Sequence, residues 1–225
     1  MYFGTWGYGR AGLEALLTLE EVEIVKVFTK WDLAVENEYL NQVYKLAIHN
    51  GLEVVNSDKG SLSGADFRLA ILEKGNFDFL ISCCYDRIFS GFIISSPGIA
   101  ALNVHPSLLP LYRGVKPLEN ALANGDTDIG VTLHELITEI DAGDIILQTS
   151  SIIDHQSNFG ELYGLQCNMI IYCLRKFFTD PKGFLANRAP QDHKASTEAP
   201  RLSFTIKDSD TVHDIMRKKK RMELT

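Results

Sequence analysis

Short apolar runs alternate with amphipathic stretches through the first hundred residues of the chain. Strand-forming residues dominate 2–4, 22–28, 52–55, 77–82 and 98–104. Between these runs, apolar residues recur at helical spacing, which predicts helices over 11–20, 36–50 and 67–74. This alternation builds right-handed βαβ units, so we expect an α/β fold with a Rossmann-like, mainly parallel twisted sheet and helices on both faces.

The pattern changes in the second half of the chain. It predicts a helix over 117–124, strands over 129–136 and 145–153, and a long helix over 161–178. A polar, proline-containing stretch over 189–200 is typical of a linker or surface loop, with a strand over 201–206 and a helix over 210–221 after it. We therefore divide the chain into a main domain, 1–180, and a short C-terminal appendage, 181–225.

Composition narrows the class of protein. The 225 residues are 45% hydrophobic and 23% charged with a net charge of -7, as in an ordinary soluble protein with a sizeable core. The acidic balance argues against nucleic acid as a partner, and the basic run 217–221 is typical of a solvated helix face. No apolar run approaches the ~20 residues that cross a bilayer, and the first residues do not look like a secretion signal, so we expect a cytoplasmic protein without a membrane partner.

Candidate chemistry concentrates between residues 100 and 150. Asn103 and His105 alternate onto one face at the end of an apolar strand that stops at Pro106, and Asp141 lies in a turn before another strand. An amide, an imidazole and a carboxylate together can catalyse acyl transfer. Each also has a plain structural alternative, and Asp144 is a competing carboxylate. His134, His155 and His193 are expected to be structural or surface residues, and the four cysteines to be free thiols, because none has metal-ligand spacing.

A glycine motif near the start of the chain suggests a second site. Gly7, Gly9 and Gly12 match the spacing of a dinucleotide-binding turn, with Asp32 where a ribose-binding acid would stand. The bulky Trp6 weakens that match. A helix start that binds a phosphate or another substrate anion, or a purely structural turn, remain the alternatives.

Several separate motifs give the chain a family resemblance. They are Asn103-x-His105-Pro106-Ser107-Leu108-Leu109-Pro110, Arg113-Gly114, Gly130-Val131-Thr132 and Asp141-Ala142-Gly143-Asp144-Ile145. In their order and spacing the chain resembles the 10-formyltetrahydrofolate-dependent formyltransferases over about residues 1–155. The resemblance implies 10-formyltetrahydrofolate as co-substrate, no metal, and catalysis by Asn103, His105 and Asp141.

The resemblance also implies where the ligands bind. The folate pocket is expected to include Ser82, Cys83, Cys84, Tyr85, Asp86, Arg87, Ile88, Leu109, Glu139 and Ile140. The acceptor is expected to contact Gly7, Tyr8, Gly9, Arg10, Arg113 and Lys116.

Within the family, the segment 113–117 and the compact length look most like the nucleotide-linked amino-sugar N-formyltransferases. We therefore expect the acceptor to be a primary amine on a nucleotide-linked amino-deoxysugar, in the biosynthesis of lipopolysaccharide or another surface glycan. The alternatives are methionyl-tRNA, glycinamide ribonucleotide or a small hydroxylamine as acceptor, or an NAD- or nucleotide-binding protein without turnover. A homodimer is possible.

Overall fold

A computed structural model describes residues 1–32, 34, 40–57, 65–73 and 75–223 of the chain. Within these residues the strands are β1 (Tyr2–Gly4), β2 (Val27–Thr29), β3 (Val54–Asn56), β4 (Phe79–Cys83), β5 (Ala100–His105), β6 (Arg113–Gly114), β7 (Asp128–Glu135), β8 (Ile145–Ile152) and β9 (Glu198–Ala199). The helices are α1 (Trp6–Leu17), α2 (Gln42–His49), α3 (Ala65–Leu72), α4 (Gly91–Ile94), α5 (Pro117–Asn124), α6 (Phe159–Phe178), α7 (Pro181–Ala186) and α8 (Val212–Met222).

The main sheet is largely parallel, as the sequence predicts. The described strands form one sheet in the order β3-β2-β1-β4-β5-β7-β8 and a small one of β6 beside β9. Strands β3, β2, β1, β4 and β5 run parallel, whereas β7 and β8 are antiparallel to their neighbours. The order reverses direction between β1 and β4, and such a switch point leaves a crevice at the carboxyl ends of the strands.

Helices cover both faces of this sheet, which confirms the predicted fold class. Alternate residues of a strand point to opposite faces. Tyr2 accordingly lies in a buried apolar cluster with residues of α1, α2 and α6, whereas the next residue, Phe3, lies in a cluster with residues of α3 and α4. Asn103 and His105 alternate with Leu102 and Val104, which belong to the first cluster, so both polar side chains leave the sheet on the second face.

Helix α1 begins earlier than predicted, at Trp6 instead of residue 11. The glycine motif is therefore part of the helix and not a turn before it. A Cβ on Gly9 would lie 2.8 Å from the carbonyl carbon of Gly4, and one on Gly7 would lie 2.5 Å from the hydroxyl oxygen of Tyr163. The absent side chains let α1 pack closely against β1 and α6.

Two strand predictions are wrong, the one for residues 22–28 in part and the one for residues 201–206 entirely. Strand β2 pairs with its neighbours only from Val27, because β1 and β3 offer backbone partners from that point on, so residues 22–26 form no strand. Residues 201–206 are irregular. Their alternating apolar residues Leu202, Phe204 and Ile206 pack against the cluster formed by α5 and α8, which satisfies the pattern without a strand partner.

The other predicted elements are found within a few residues of their expected ends. The first part of the predicted helix 36–50, and Lys74 at the end of the helix 67–74, lie outside the described residues. Helix α6 begins with a capping box, in which Asn158 accepts from the backbone of Glu161 and Glu161 accepts from the backbone of Asn158. Among the described residues, no helix combines the length and the apolar character needed to span a bilayer.

The segment 189–200, expected to be a linker or surface loop, is bonded to the rest of the fold. Ala189 exchanges backbone hydrogen bonds with Ile145 at the start of β8, and β9 pairs in parallel with β6. Val212 and Ile215 of α8 are fully buried in a cluster with Leu118 and Leu122 of α5. The division at residue 180 stays a prediction.

Candidate active site

Strands β5 and β7 bring an amide and two imidazoles to one face of the main sheet. Asn103 and His105 are two residues apart on β5, so they share a face. The antiparallel register places His134 of β7 directly opposite Asn103. The Nε2 atom of His134 lies 3.1 Å from Nδ2 of Asn103.

Asp141 completes the group from the turn between β7 and β8. Its carboxylate accepts a hydrogen bond from the backbone N–H of Gly114 at 2.8 Å and another from Asn103 Nδ2 at 3.2 Å. Its Oδ2 atom lies 3.4 Å from Nδ1 of His105. The structure therefore brings together Asn103, His105 and Asp141, the three residues that the sequence singles out.

The surroundings of His105 suit a side chain that takes up a proton. Burial lowers the pKa of His105 below its ordinary value, although the Asp141 charge and the Tyr112 carbonyl act to raise it, so the neutral ring predominates at neutral pH. Its Nε2 atom is 2.8 Å from the carbonyl oxygen of Tyr112, and its Nδ1 faces the Asp141 carboxylate. Both nitrogens face acceptors, so a neutral ring satisfies only one of them and an imidazolium satisfies both.

Asp141 is ionised across the ordinary pH range. Burial on its own raises the pKa of this carboxyl group, but the neighbouring His105 and His134 and the Gly114 N–H outweigh burial and hold the pKa well below its usual value. A carboxylate held in this way can orient the His105 ring and stabilise its charged form.

His134, which we expected from the sequence to be a structural or surface residue, contacts the site directly. It is buried, and its Nδ1 donates to the backbone carbonyl of Glu135 at 2.7 Å, which leaves Nε2 as an acceptor for the Asn103 amide. Its Nε2 also lies 3.6 Å from Asp141. The alternation of side chains along β7 places His134 on a definite face of that strand. It places His134 beside Asn103 only once β7 pairs with β5, and the sequence does not specify this pairing.

The predicted folate residues fall into two groups. Ser82 and Cys83 are buried within β4, and the Cys83 thiol donates to the backbone carbonyl of Tyr8. Leu109 is also buried, and its backbone is bonded to the side chains of Thr132 and Gln148.

The remaining predicted folate residues lie on two loops, one after the carboxyl end of β4 and one between β7 and β8. Residues 84–88 follow β4, where the Thr5 hydroxyl donates to the Cys84 carbonyl and Lys30 pairs with Asp86 at 2.6 Å. Tyr85 packs on Phe3 and Phe89, and Arg87 follows on the same loop. Ile88 is 73% exposed, and Ile140, which follows the exposed Glu139, is 57% exposed.

The predicted acceptor residues do not form one cluster of free side chains. Gly7, Tyr8, Gly9 and Arg10 all lie within the first turns of α1. The Tyr8 N–H donates to the Tyr163 hydroxyl at 3.2 Å and the two rings stack, so this backbone group is already bonded. Arg10 pairs with Glu14 on the helix surface.

On the other side of the site, Arg113 is held by protein groups. Its guanidinium donates to Gln191, contacts His193 and lies 3.7 Å from Glu139, whereas Lys116 is exposed at the start of α5. Acceptor binding by these residues stays a prediction. Asp144, the competing carboxylate, pairs with Arg188 at 3.5 Å.

Comparison with known proteins gives a consistent result. A family model described as formyl transferase matches residues 14–165. The chain is similar to the methionyl-tRNA formyltransferase of Streptococcus pyogenes serotype M28 (strain MGAS6180), with 32% identity over 210 residues, which is 90% of this chain. The chain spans 65% of the length of that relative.

Two solved structures share the fold. One is an N-formyltransferase from Helicobacter canadensis in complex with folinic acid and dTDP-3-aminofucose, with a TM-score of 0.69 and 20% identity over 96% of this chain and 77% of that chain. The other is the phosphoribosylglycinamide formyltransferase from Bacillus halodurans, with a TM-score of 0.65 and 18% identity over 81% of this chain and 96% of that chain.

Proposed function

The chain belongs to the formyl transferase family, and from this membership we propose that it transfers the formyl group of 10-formyltetrahydrofolate to a primary amine. The observation that supports this most strongly is the meeting of Asn103, His105 and Asp141 within hydrogen-bond or ion-pair distance of one another. These groups match the needs of the reaction, and an unrelated structural role does not require all three together.

In the proposed reaction, the neutral amine attacks the formyl carbon, and a new C–N bond forms as the bond from that carbon to N10 of the folate breaks. One proton leaves the attacking nitrogen and one is delivered to N10, so the exchange balances without a further reactant. Asn103 exchanges one of its two N–H bonds, which go to His134 and Asp141 in the structure, for a bond to the oxygen on which negative charge develops. His105 carries the proton, and Asp141 orients the ring and stabilises its charged form.

We place the folate beside the loop that follows β4. Strand β4 lies between β1, at the switch point, and β5, which carries Asn103 and His105. Because Ser82 near the end of β4 pairs with Asn103, the loop after β4 begins close to these two residues. The exposed apolar side chains of Ile88 and Ile140 offer contact area for a planar ring. In this proposal, main-chain groups of the loop supply the polar contacts to the ring.

For the acceptor we propose the amine of a nucleotide-linked amino-deoxysugar. The similar fold of the Helicobacter canadensis protein, which was solved with dTDP-3-aminofucose, supports this choice, and the match extends over 96% of the chain. The crevice at the carboxyl ends of β1 and β4 is where a nucleotide would be expected in an open α/β sheet. A second candidate, methionyl-tRNA, is favoured by the sequence relatives, which are methionyl-tRNA formyltransferases.

The experiment is a panel of acceptors incubated with the protein and 10-formyltetrahydrofolate. Tetrahydrofolate release and the gain of one formyl mass on the acceptor are both recorded. We expect both signals with a nucleotide-linked amino-sugar and neither in His105→Asn. Formylation of methionyl-tRNA alone would select the second candidate. Release of tetrahydrofolate without formylation of any acceptor in the panel would contradict the proposed transfer.

A matched control comes from the same turn as Asp141. Asp144 has the same side chain and lies three residues on, but its carboxylate pairs with Arg188 and not with the histidines. Asp144→Asn should therefore retain transfer to the accepted amine, whereas Asp141→Asn should lose most of it.

A further inference from the structure

Gln191 is a buried polar residue in the segment 189–200, outside the motifs that the sequence singles out. It is 5% exposed. Its Nε2 donates to the backbone carbonyls of Asp141 at 2.9 Å and Gly143 at 2.7 Å. Its Oε1 accepts from Nε and Nη2 of Arg113 at 3.2 and 2.7 Å. Both donor hydrogens and both acceptor positions of the amide are therefore used.

These contacts close a ring around the catalytic carboxylate. Arg113 is followed in β6 by Gly114, whose N–H donates to the Asp141 carboxylate. Gln191 links the same two segments, the Asp141 turn and β6, a second time. It binds the backbone of Asp141 in the turn and the side chain of Arg113 in β6. The turn and β6 are thus held together both through the carboxylate and through the Gln191 amide.

The backbone of Asp141 needs such support. Its φ of 49° lies in the left-handed region, which residues other than glycine adopt rarely, although aspartate does so more often than most. The carbonyls of Asp141 and Gly143 both accept from the Gln191 amide, and they can do so only in the observed conformation of the turn. Without the two donations the turn loses the contacts that hold its carbonyls in place, and Asp141 is then free to move away from His105.

We propose that Gln191 is a positioning residue, which fixes the turn so that the Asp141 carboxylate faces His105 and Asn103. This inference rests on the proposed function only for its kinetic consequence. Gln191 touches no reacting atom in this arrangement. Its effect reaches the reaction through Asp141.

The first test measures the titration of His105 and needs no turnover. The imidazole signals of the protein are followed by NMR against pH, and His105 is assigned by its loss in His105→Gln. In Gln191→Met, which keeps the side-chain length without the amide, the Asp141 charge is no longer held at 3.4 Å, so the pKa of His105 should fall below its wild-type value.

Gln166 offers a matched control for general loosening. It is 1% exposed, and its Nε2 likewise donates to two backbone carbonyls, those of Pro106 and Gly130, both at 3.0 Å. Its Oε1 accepts from the Tyr8 hydroxyl at 2.6 Å, and although Pro106 follows His105 in the chain, none of these bonds reaches the Asp141 turn. Gln166→Met should lower the melting temperature as Gln191→Met does but leave the pKa of His105 unchanged. An unchanged His105 pKa in folded Gln191→Met, or an equal shift in both variants, overturns the proposal.

The second test is kinetic. A displacement of about 1 Å at a catalytic group can cost ~100-fold, so we expect kcat to fall about 10- to 100-fold in Gln191→Met while KM for the folate stays near the wild-type value. If Gln191→Met does not fold, Gln191→Glu replaces it, since a carboxylate still accepts from Arg113 but cannot donate to the turn. A wild-type kcat in that variant overturns the proposal. If the wild-type protein itself transfers no formyl group, the proposed function fails, and the His105 titration still decides the role of Gln191.

Discussion

Replacing Asp141 by asparagine tests the arrangement of the site most directly. The substitution keeps the shape of the side chain and removes its charge. The Asp141 carboxylate lies 3.4 Å from the His105 ring, and the two side chains are only 12% and 5% exposed. Two unit charges about 4 Å apart interact with about 4 kcal/mol at an effective dielectric constant of about 20. The small exposure of the Asp141 side chain to water screens part of this interaction.

The consequence for turnover follows from the charge that His105 acquires when it takes up a proton. Since each ~1.4 kcal/mol corresponds to a tenfold change in rate, we expect Asp141→Asn to lower kcat by about 10²- to 10³-fold. The KM for the folate should change much less, because Asp141 acts on Asn103 and His105 in the proposed reaction. The rate of tetrahydrofolate release at saturating acceptor measures kcat, with Asp144→Asn as the control.

Asp141→Asn should also change how the free energy of unfolding depends on pH in the acid range. The pKa of Asp141 is lower in the folded protein than its unfolded value of about 3.9, so the unfolded chain binds the proton first as the pH falls. The stabilisation from the ionised carboxylate is therefore complete above about pH 4 and is lost below it. Urea unfolding at several pH values should show the wild type more stable than Asp141→Asn at neutral pH, with a difference that shrinks on acidification. A folded Asp141→Asn protein with wild-type kcat and an unchanged pH dependence would refute the assigned role.

Four further substitutions have defined outcomes. Asn103→Ala removes the donor for the developing oxyanion and should lower kcat by about 100-fold or more in the same assay. His134→Phe leaves the Asn103 amide with only Asp141 as acceptor, so kcat should fall by about tenfold with KM nearly unchanged, and an unaltered kcat would exclude His134 from positioning Asn103. Gly9→Ala places a Cβ 2.8 Å from the Gly4 backbone and should cost about 1–3 kcal/mol of unfolding free energy. Gly164→Ala in α6 meets nothing within 4 Å and should instead stabilise the protein by about 0.5–1 kcal/mol, which thermal unfolding of both variants can compare.

The alternation of apolar and polar residues along the chain determined the class of fold. The parallel strands, the helices on both faces and the long helix α6 all follow from local periodicity, because burial of one face is what each pattern requires. The same alternation placed Asn103 and His105 on one face of β5. The errors arose where a neighbour decides the outcome, as at residues 201–206, whose alternating apolar side chains pack on helices and not within a sheet.

Only the tertiary structure decided how the site is assembled. Local sequence marks Asp141 as a turn residue, but its distance to His105 depends on the path of the chain between β7 and β8. His134 joins Asn103 through strand register, and Gln191 reaches the turn from fifty residues further along the chain. Hydrogen bonds act over about 3 Å, so partners that are distant in sequence are fixed only when strands, turns and connecting segments have packed together.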